Sequence, residues 1–144
     1  MRVLVIVALS ALTLGACAPQ EQAELTSEQL VERGEYLVNG VVLCGDCHTP
    51  RDQNMAPIEA RALQGSPVPP MEPAGAFATV APPIAGIPAH FTQDQFVSFL
   101  QTGVRPDGSH PRPPMPPYRL NESDARAVAA YIASLPRGDE TPPQ

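Results

Sequence analysis

The chain has 144 residues, a length that predicts a single domain. Its formal net charge is −6, and its nine basic residues are all arginine. This charge argues against nucleic acid as a partner, because binding to phosphates requires a basic face. It also argues against a docking surface ringed by lysine, and it favours an acidic rim that meets a basic patch on a partner protein.

The first residues have the pattern of a secretory signal peptide. Arg2 provides a short positive start, and a compact apolar run covers residues 3–14. The run is too short to remain as a helix that crosses a bilayer. We therefore predict that residues 1–16 are a leader, whose removal takes away one arginine and no acid and leaves a net charge of −7.

The leader ends in Leu14-Gly15-Ala16-Cys17, which resembles the lipobox of bacterial lipoproteins. That resemblance implies cleavage before Cys17 and lipidation of its thiol. More than one acyl chain would hold the protein stably on the periplasmic side of a membrane. By resemblance to Gram-negative lipoprotein sorting signals, Ala18 in place of an acidic residue slightly favours the outer membrane. The alternative is ordinary cleavage beside a cysteine that carries no lipid.

A first helix is expected after a short tether, residues 17–25. Thr26 or Ser27 can cap its start, and Gln29 completes a capping-box pattern with Thr26. Apolar or small residues then recur at helical spacing at positions 30, 31, 34, 37 and 38. Asn39-Gly40 predicts the end of this helix.

The motif Cys44-Gly45-Asp46-Cys47-His48 follows, and it is the attachment signature of a c-type haem. Each thiol adds to one vinyl group of the porphyrin, so both sulfurs must lie beneath the same edge of the macrocycle. Two intervening residues in one helical turn place them there. The imidazole of His48 can then bind the iron as the proximal ligand.

Other uses of two cysteines at this spacing fit the sequence less well. A thioredoxin-like redox pair belongs near a βαβ pattern, and no convincing strand is predicted here. A zinc site would need two further ligands, and neither His90 nor His110 lies in a second paired motif. A plain disulfide between Cys44 and Cys47 is the remaining alternative.

Residues 49–91 lose the helical periodicity and contain nine prolines. A segment of this length without secondary structure is unusual in a compact domain. A loop wrapped over a large apolar haem, however, need not form secondary structure of its own. We therefore interpret this segment as part of the domain.

Two more helices are predicted in the second half of the chain. Thr92 with Gln95 forms a second capping box, and Gly103 is placed to end that helix. Asn121 can cap the last helix. Its buried face is predicted to be Ala125, Val128, Ala129, Ile132 and Leu135, with Pro136 closing it. The domain then covers residues 26–136, and 137–144 is predicted to be a flexible tail.

The second axial ligand of the iron is predicted to be Met115. Methionine beside histidine raises the reduction potential of a haem, which suits an electron carrier. Met115 lies between two Pro-Pro pairs that would hold its loop stiffly. Met71 is the reserve candidate, and Met55 lies too close to the haem motif to reach the other face. His110 or His90 would instead give a bis-histidine haem, and core packing is the alternative role for a methionine.

These segments together resemble the class I c-type cytochromes, in particular the monohaem modules in the cytochrome subunits of bacterial alcohol dehydrogenases. The matching segments are residues 32–37, 44–49, 91–108 and 115–132, which together cover most of residues 26–136. The resemblance implies an all-α, cytochrome c-like fold with three to four short helices. Long proline-rich loops would surround one covalently bound haem c with its iron.

The same resemblance implies roles for four further residues. The first and last helices would cross where Gly34 meets Tyr131. The carbonyl of Pro82 would accept a hydrogen bond from Nδ1 of His48, which fixes the imidazole and strengthens its donation to iron. Ile84 would lie against the haem. Pro83 stands where the family commonly has asparagine.

The function that the resemblance implies is single-electron transfer by a periplasmic, membrane-anchored monohaem cytochrome. Such a protein is not an enzyme and takes no small-molecule substrate. Its partners would be the redox proteins that donate and accept electrons, and the membrane that holds the lipid on Cys17. The alternatives are a fixed haem subunit of a dehydrogenase or oxidase complex, and a haem gas sensor or peroxidase-like enzyme with an open sixth position.

Overall fold

The computed structural model describes residues 24–137. The predicted leader, Cys17, residues 17–23 of the tether and residues 138–144 of the tail lie outside this range. Four α-helices, one π-helical turn, one 3-10 turn and one pair of short strands make up the described fold. Their bounds are α1 Ser27–Tyr36, the π turn Leu37–Val41, α2 Gly45–His48, the 3-10 turn Glu59–Arg61, β1 Ser66–Pro67, β2 Val80–Ala81, α3 Gln93–Thr102 and α4 Glu122–Ser134. The predicted all-α fold with long irregular segments is confirmed.

The helices start and stop largely where the caps predict. The Thr26 and Thr92 side chains each accept a hydrogen bond from the backbone three residues on, and the glutamine there bonds back to the cap. The Asn121 side chain accepts from Asp124 N at 2.8 Å. Gly103 ends α3 in the left-handed region, at φ +72°.

The predicted end of the first helix at Asn39-Gly40 is wrong. The chain continues through both residues as the π turn, and Val42 N donates to Leu37 O at 2.7 Å. Leu37 and Val38 at the start of this turn are 4% and 0% exposed. Because these two side chains are buried, tertiary packing stabilises the turn and outweighs the tendency of Asn39-Gly40 to end a helix.

The core forms where α1 and α3 pack on α4. Gly34 of α1 approaches the backbone of α4 so closely that a Cβ there would lie 2.7 Å from Tyr131 Cβ. The predicted crossing of the first and last helices at these two residues is confirmed. The predicted buried face of α4 is confirmed at Ala125, Val128, Ala129 and Ile132, whereas Leu135 is half-buried and Ala127 is buried as well.

Backbone hydrogen bonds between distant residues hold the irregular segment 49–91 in place. Leu63 O accepts from Ile84 N at 2.9 Å and from Ala85 N at 3.2 Å, and Gly65 N donates to His48 O at 2.8 Å. β1 and β2 pair antiparallel with Ser66 opposite Ala81. The sequence predicted no strand, because two-residue strands carry no periodic pattern. No helix within residues 24–137 combines the length and the hydropathy needed to span a bilayer.

Candidate haem site

The Cys44–His48 motif forms one helical turn. Cys47 N and His48 N both lie within hydrogen-bonding distance of Cys44 O, at 3.3 and 2.9 Å. Cys44, Cys47 and His48 all line one cavity of about 430 Å³. This volume lies within the range of about 300–1,000 Å³ that is typical of ligand and cofactor sites.

The two cysteines differ in their surroundings. Cys44 is buried and Cys47 is exposed. Burial raises the pKa of the Cys44 thiol to about 11. A backbone hydrogen bond lowers this pKa in part, and the nearby Cys47 raises it. Before attachment, the Cys44 sulfur is therefore a neutral thiol at the wall of an apolar cavity.

The His48 imidazole is held in one orientation and one tautomer. Its Nδ1 lies 2.7 Å from Pro82 O, and since a carbonyl can only accept, Nδ1 carries the proton. His48 is 6% exposed, and burial lowers its pKa despite the opposing effect of the Pro82 hydrogen bond. The neutral ring leaves the lone pair of Nε2 available, and no residue among 24–137 donates a hydrogen bond to it. A neutral imidazole oriented in this way is suited to bind a metal.

Met115 lines the same cavity. It is half-buried and packs against the hydrophobic core. Met55 and Met71 are 68% and 41% exposed and lie outside the cavity lining. Of the methionines in the described range, Met115 alone is thus brought together with His48.

Both histidines of the bis-histidine alternative also line the cavity, at its exposed margin. The His110 Nδ1 lies 3.0 Å from Gly103 O. The His90 ring stands 4.6 Å from the Phe91 ring, centroid to centroid. Met115 is half-buried, whereas His90 and His110 are exposed.

The remaining wall of the cavity is mainly apolar, and it suits an apolar cofactor. Ile84 lines it, half-buried, and its N–H is bound by Leu63 O. Phe96, Phe99 and Leu100 of α3 and Ile132 of α4 extend the wall. The donor set of two thiols, an imidazole and a thioether, on an apolar wall, fits a covalently attached haem.

The charged residues of the lining are arginines. Arg105 and Arg112 line the cavity, and no carboxylate side chain from the described part of the chain does so. The acidic rim on a docking surface stays a prediction, because it concerns the surface around the cavity and not its lining. Arginine is suited to bind carboxylates such as the haem propionates. Both arginines lie within ten residues of Met115, but no pattern in the sequence predicts that they line the cavity.

Tyr118 also lines the cavity. Its hydroxyl donates to Val42 O at 3.1 Å. Burial raises the pKa of Tyr118 to about 12, so the hydroxyl stays protonated at neutral pH. The sequence suggested no such contact, because it joins residues that are far apart in the chain.

A family model described as cytochrome c matches residues 31–136. The chain belongs to the cytochrome c family. Covalently bound haem c and its iron therefore belong to this cytochrome, and the matched residues include every element that lines the cavity.

Three relatives of known name are 31–33% identical to this cytochrome over the aligned residues. The diheme cytochrome c-type protein of Cereibacter sphaeroides is 31% identical over 120 residues, covering 80% of this chain and 38% of its own length. The fructose dehydrogenase cytochrome subunit of Gluconobacter japonicus is 32% identical over 76% of this chain and 23% of its own. The cytochrome c subunit of the quinone alcohol dehydrogenase of Gluconobacter oxydans is 33% identical over 76% and 25%. The chain thus spans less than two fifths of each of these relatives.

Proposed function

We propose that this cytochrome carries single electrons on one haem, which Cys44 and Cys47 would attach and whose iron His48 and Met115 would bind. One observation supports this most strongly. Side chains from two segments far apart in sequence, one with the attachment motif and one with Met115, line a single apolar cavity. When bound, the haem supplies an iron that accepts and releases one electron.

The residues of the chain would position the ligands and exclude water. Pro82 O holds the His48 ring and strengthens the donation from Nε2 to the metal. Met115 would complete the coordination with a thioether, which favours the reduced state. The apolar side chains of α3 and α4 lower the local dielectric and limit solvent access. No residue needs to act on a substrate, so we propose a carrier and not an enzyme.

The test compares oxidised and reduced optical spectra of haem-loaded wild type, Met115→Ala and Met55→Ala. Met55 is exposed and lies outside the cavity lining, so it is the matched control. We expect Met115→Ala alone to lose the methionine charge-transfer band of the oxidised protein and to show a lower reduction potential. An unchanged band and potential in Met115→Ala would refute the proposed ligation.

The proposed location is the periplasmic side of a bacterial membrane, with the outer membrane slightly favoured. Cys17 would carry the lipid, and residues 17–25 would tether the domain. Cell fractionation of wild type and Cys17→Ser tests this, together with incorporation of labelled palmitate. We expect the variant to lose the label and to appear in the soluble fraction. A wild type that is soluble and unlabelled would contradict the anchor.

A second candidate function is that of a fixed haem subunit in a dehydrogenase or oxidase complex. It is favoured by relatives that are named as cytochrome subunits of fructose and alcohol dehydrogenases. Extraction in mild detergent followed by size separation distinguishes the two functions. A mobile carrier elutes alone, and a fixed subunit elutes with a larger enzyme. Rapid binding of carbon monoxide to the reduced wild type would instead favour a gas sensor or peroxidase-like enzyme.

A further inference from the structure

The loop that carries Met115, residues 111–118, makes few hydrogen bonds to the rest of the described chain. Five of its eight residues are proline and have no backbone N–H. The remaining N–H groups belong to Arg112, Met115 and Tyr118. None of these three backbone N–H groups donates a hydrogen bond to another residue within 24–137. We call residues 111–118 the methionine loop.

Three hydrogen bonds join the methionine loop to distant parts of the described chain. Two of them go to residues 75–78, another irregular segment: Ala78 N donates to Pro113 O at 2.7 Å, and Arg112 Nη1 donates to Gly75 O at 3.4 Å. The third runs from the Tyr118 hydroxyl to Val42 O at 3.1 Å. Within the described chain, this third bond is the one hydrogen bond that connects the loop to residues 42–48, which we call the haem-attachment segment.

Both ends of the Tyr118 bond are close in sequence to the haem ligands. Tyr118 follows Met115 by three residues, and Val42 precedes Cys44 by two. Val42 is itself fixed, because its N–H donates to Leu37 O at the end of the π turn. The carbonyl of Val42, at the end of the π turn, needs a hydrogen-bond donor, and the Tyr118 hydroxyl provides it.

We propose that Tyr118 is a positioning residue, whose hydroxyl holds the methionine loop against the haem-attachment segment and so keeps the Met115 sulfur on the iron. The inference rests on the proposed His48 and Met115 ligation. Without this bond the loop would open more often, and a small external ligand would displace the sulfur more easily. Tyr118 thus limits access to the sixth position without itself touching the metal.

The test is the affinity of the oxidised, haem-loaded protein for imidazole, followed by the shift of the main (Soret) haem absorption band, which can be read with or without a methionine ligand. Tyr118→Phe keeps the ring in the cavity wall and removes only the hydroxyl. Tyr131→Phe is the matched control, because its hydroxyl accepts a hydrogen bond from Asn39 Nδ2 at 3.3 Å and lies outside the cavity lining. We expect Tyr118→Phe to bind imidazole about three- to tenfold more tightly than wild type, the factor that one ordinary hydrogen bond gives. Tyr131→Phe should bind as wild type does.

A double variant separates positioning from a general effect on the cavity. In a Met115→Ala background there is no sulfur to displace, so adding Tyr118→Phe should leave the imidazole affinity unchanged. Equal affinities of Tyr118→Phe and Tyr131→Phe would overturn the inference while the ligation stands. An equal gain in the Met115→Ala background would also overturn it, because the hydroxyl would then control entry to the cavity. A wild type that binds imidazole as tightly as Met115→Ala would overturn the ligation and the inference together.

Discussion

Gly34 in α1 lies directly against Tyr131 in α4, with no room for a side chain between the two helices. A Cβ at position 34 would stand 2.7 Å from Tyr131 Cβ and would overlap with the carbonyl of Ala127. Because the obstacle is backbone, a small rotation of a side chain cannot relieve it. This close approach sets how α1 and α4 cross, and α4 supplies Ile132 to the haem cavity.

Gly34→Ala is expected to destabilise the protein by about 3 kcal/mol, at the upper end of the usual cost of overpacking, because α1 must move away from α4. Urea unfolding of the haem-loaded protein measures this. Gly40→Ala is the control, because its Cβ would meet only the Tyr36 ring at 3.5 Å, an ordinary contact. A Gly34→Ala variant as stable as Gly40→Ala would show that the crossing has space to spare.

The helix boundaries could be predicted because they depend on neighbouring residues. Thr26, Thr92 and Asn121 bond to a backbone N–H only three residues away, and Gly103 ends its helix by its own conformation. The end at Asn39-Gly40 could not be predicted in this way, since tertiary packing of Leu37 and Val38 continues the helix as a π turn. Capping residues predict a helix end only where tertiary packing does not compete with them.

The residues of the site could be predicted from the sequence, but the contacts that join distant parts of the site could not. The spacing of Cys44, Cys47 and His48 is itself chemical information, and the proline setting marked Met115. The hydrogen bond from Tyr118 to Val42 joins positions 76 residues apart, so no local sequence pattern predicts it. The β1–β2 pair and the bonds at Leu63 escaped prediction for the same reason.

Thr49→Val is expected to cost about 1–3 kcal/mol, because it leaves a buried donor without a partner. Leu63 N donates to Thr49 Oγ1 at 3.0 Å, and the two residues are 2% and 5% exposed. Valine keeps the shape of the side chain and removes the acceptor. Thr79→Val, at an exposed position with no side-chain hydrogen bond in the described structure, should change the unfolding free energy by less than about 0.5 kcal/mol. Equal urea midpoints for the two variants would contradict the role of Thr49.

Gly103→Ala and Gly108→Ala separate backbone strain from crowding. Both glycines are in the left-handed region, at φ +72° and +81°, so both substitutions should cost about 1–2 kcal/mol. A Cβ at Gly103 would also lie 3.0 Å from Pro117 Cβ in the methionine loop, whereas one at Gly108 would meet nothing within 4 Å. Gly103→Ala should therefore be the less stable of the two in thermal or urea unfolding. The reverse order would mean that the methionine loop moves aside without cost.

Preventing haem attachment is expected to abolish cooperative unfolding of the domain. The cavity of about 430 Å³ reaches Phe96, Phe99 and Ile132, so without haem the core loses its centre. An ordinary domain is stable by only about 5–15 kcal/mol, so losing the apolar contacts around the haem is expected to leave the fold without a stable core.

The measurement for this last prediction is circular dichroism of a Cys44→Ala/Cys47→Ala double variant during a urea titration. Cys17→Ser is the control, because it removes the third cysteine and leaves the attachment motif intact. The control should keep its helical signal and unfold in one transition, while the double variant should show a weak signal that declines gradually. A sharp transition in the haem-free double variant would mean that the contacts of α1 and α3 with α4 hold the fold unaided, so that the haem serves the redox chemistry and not the folding.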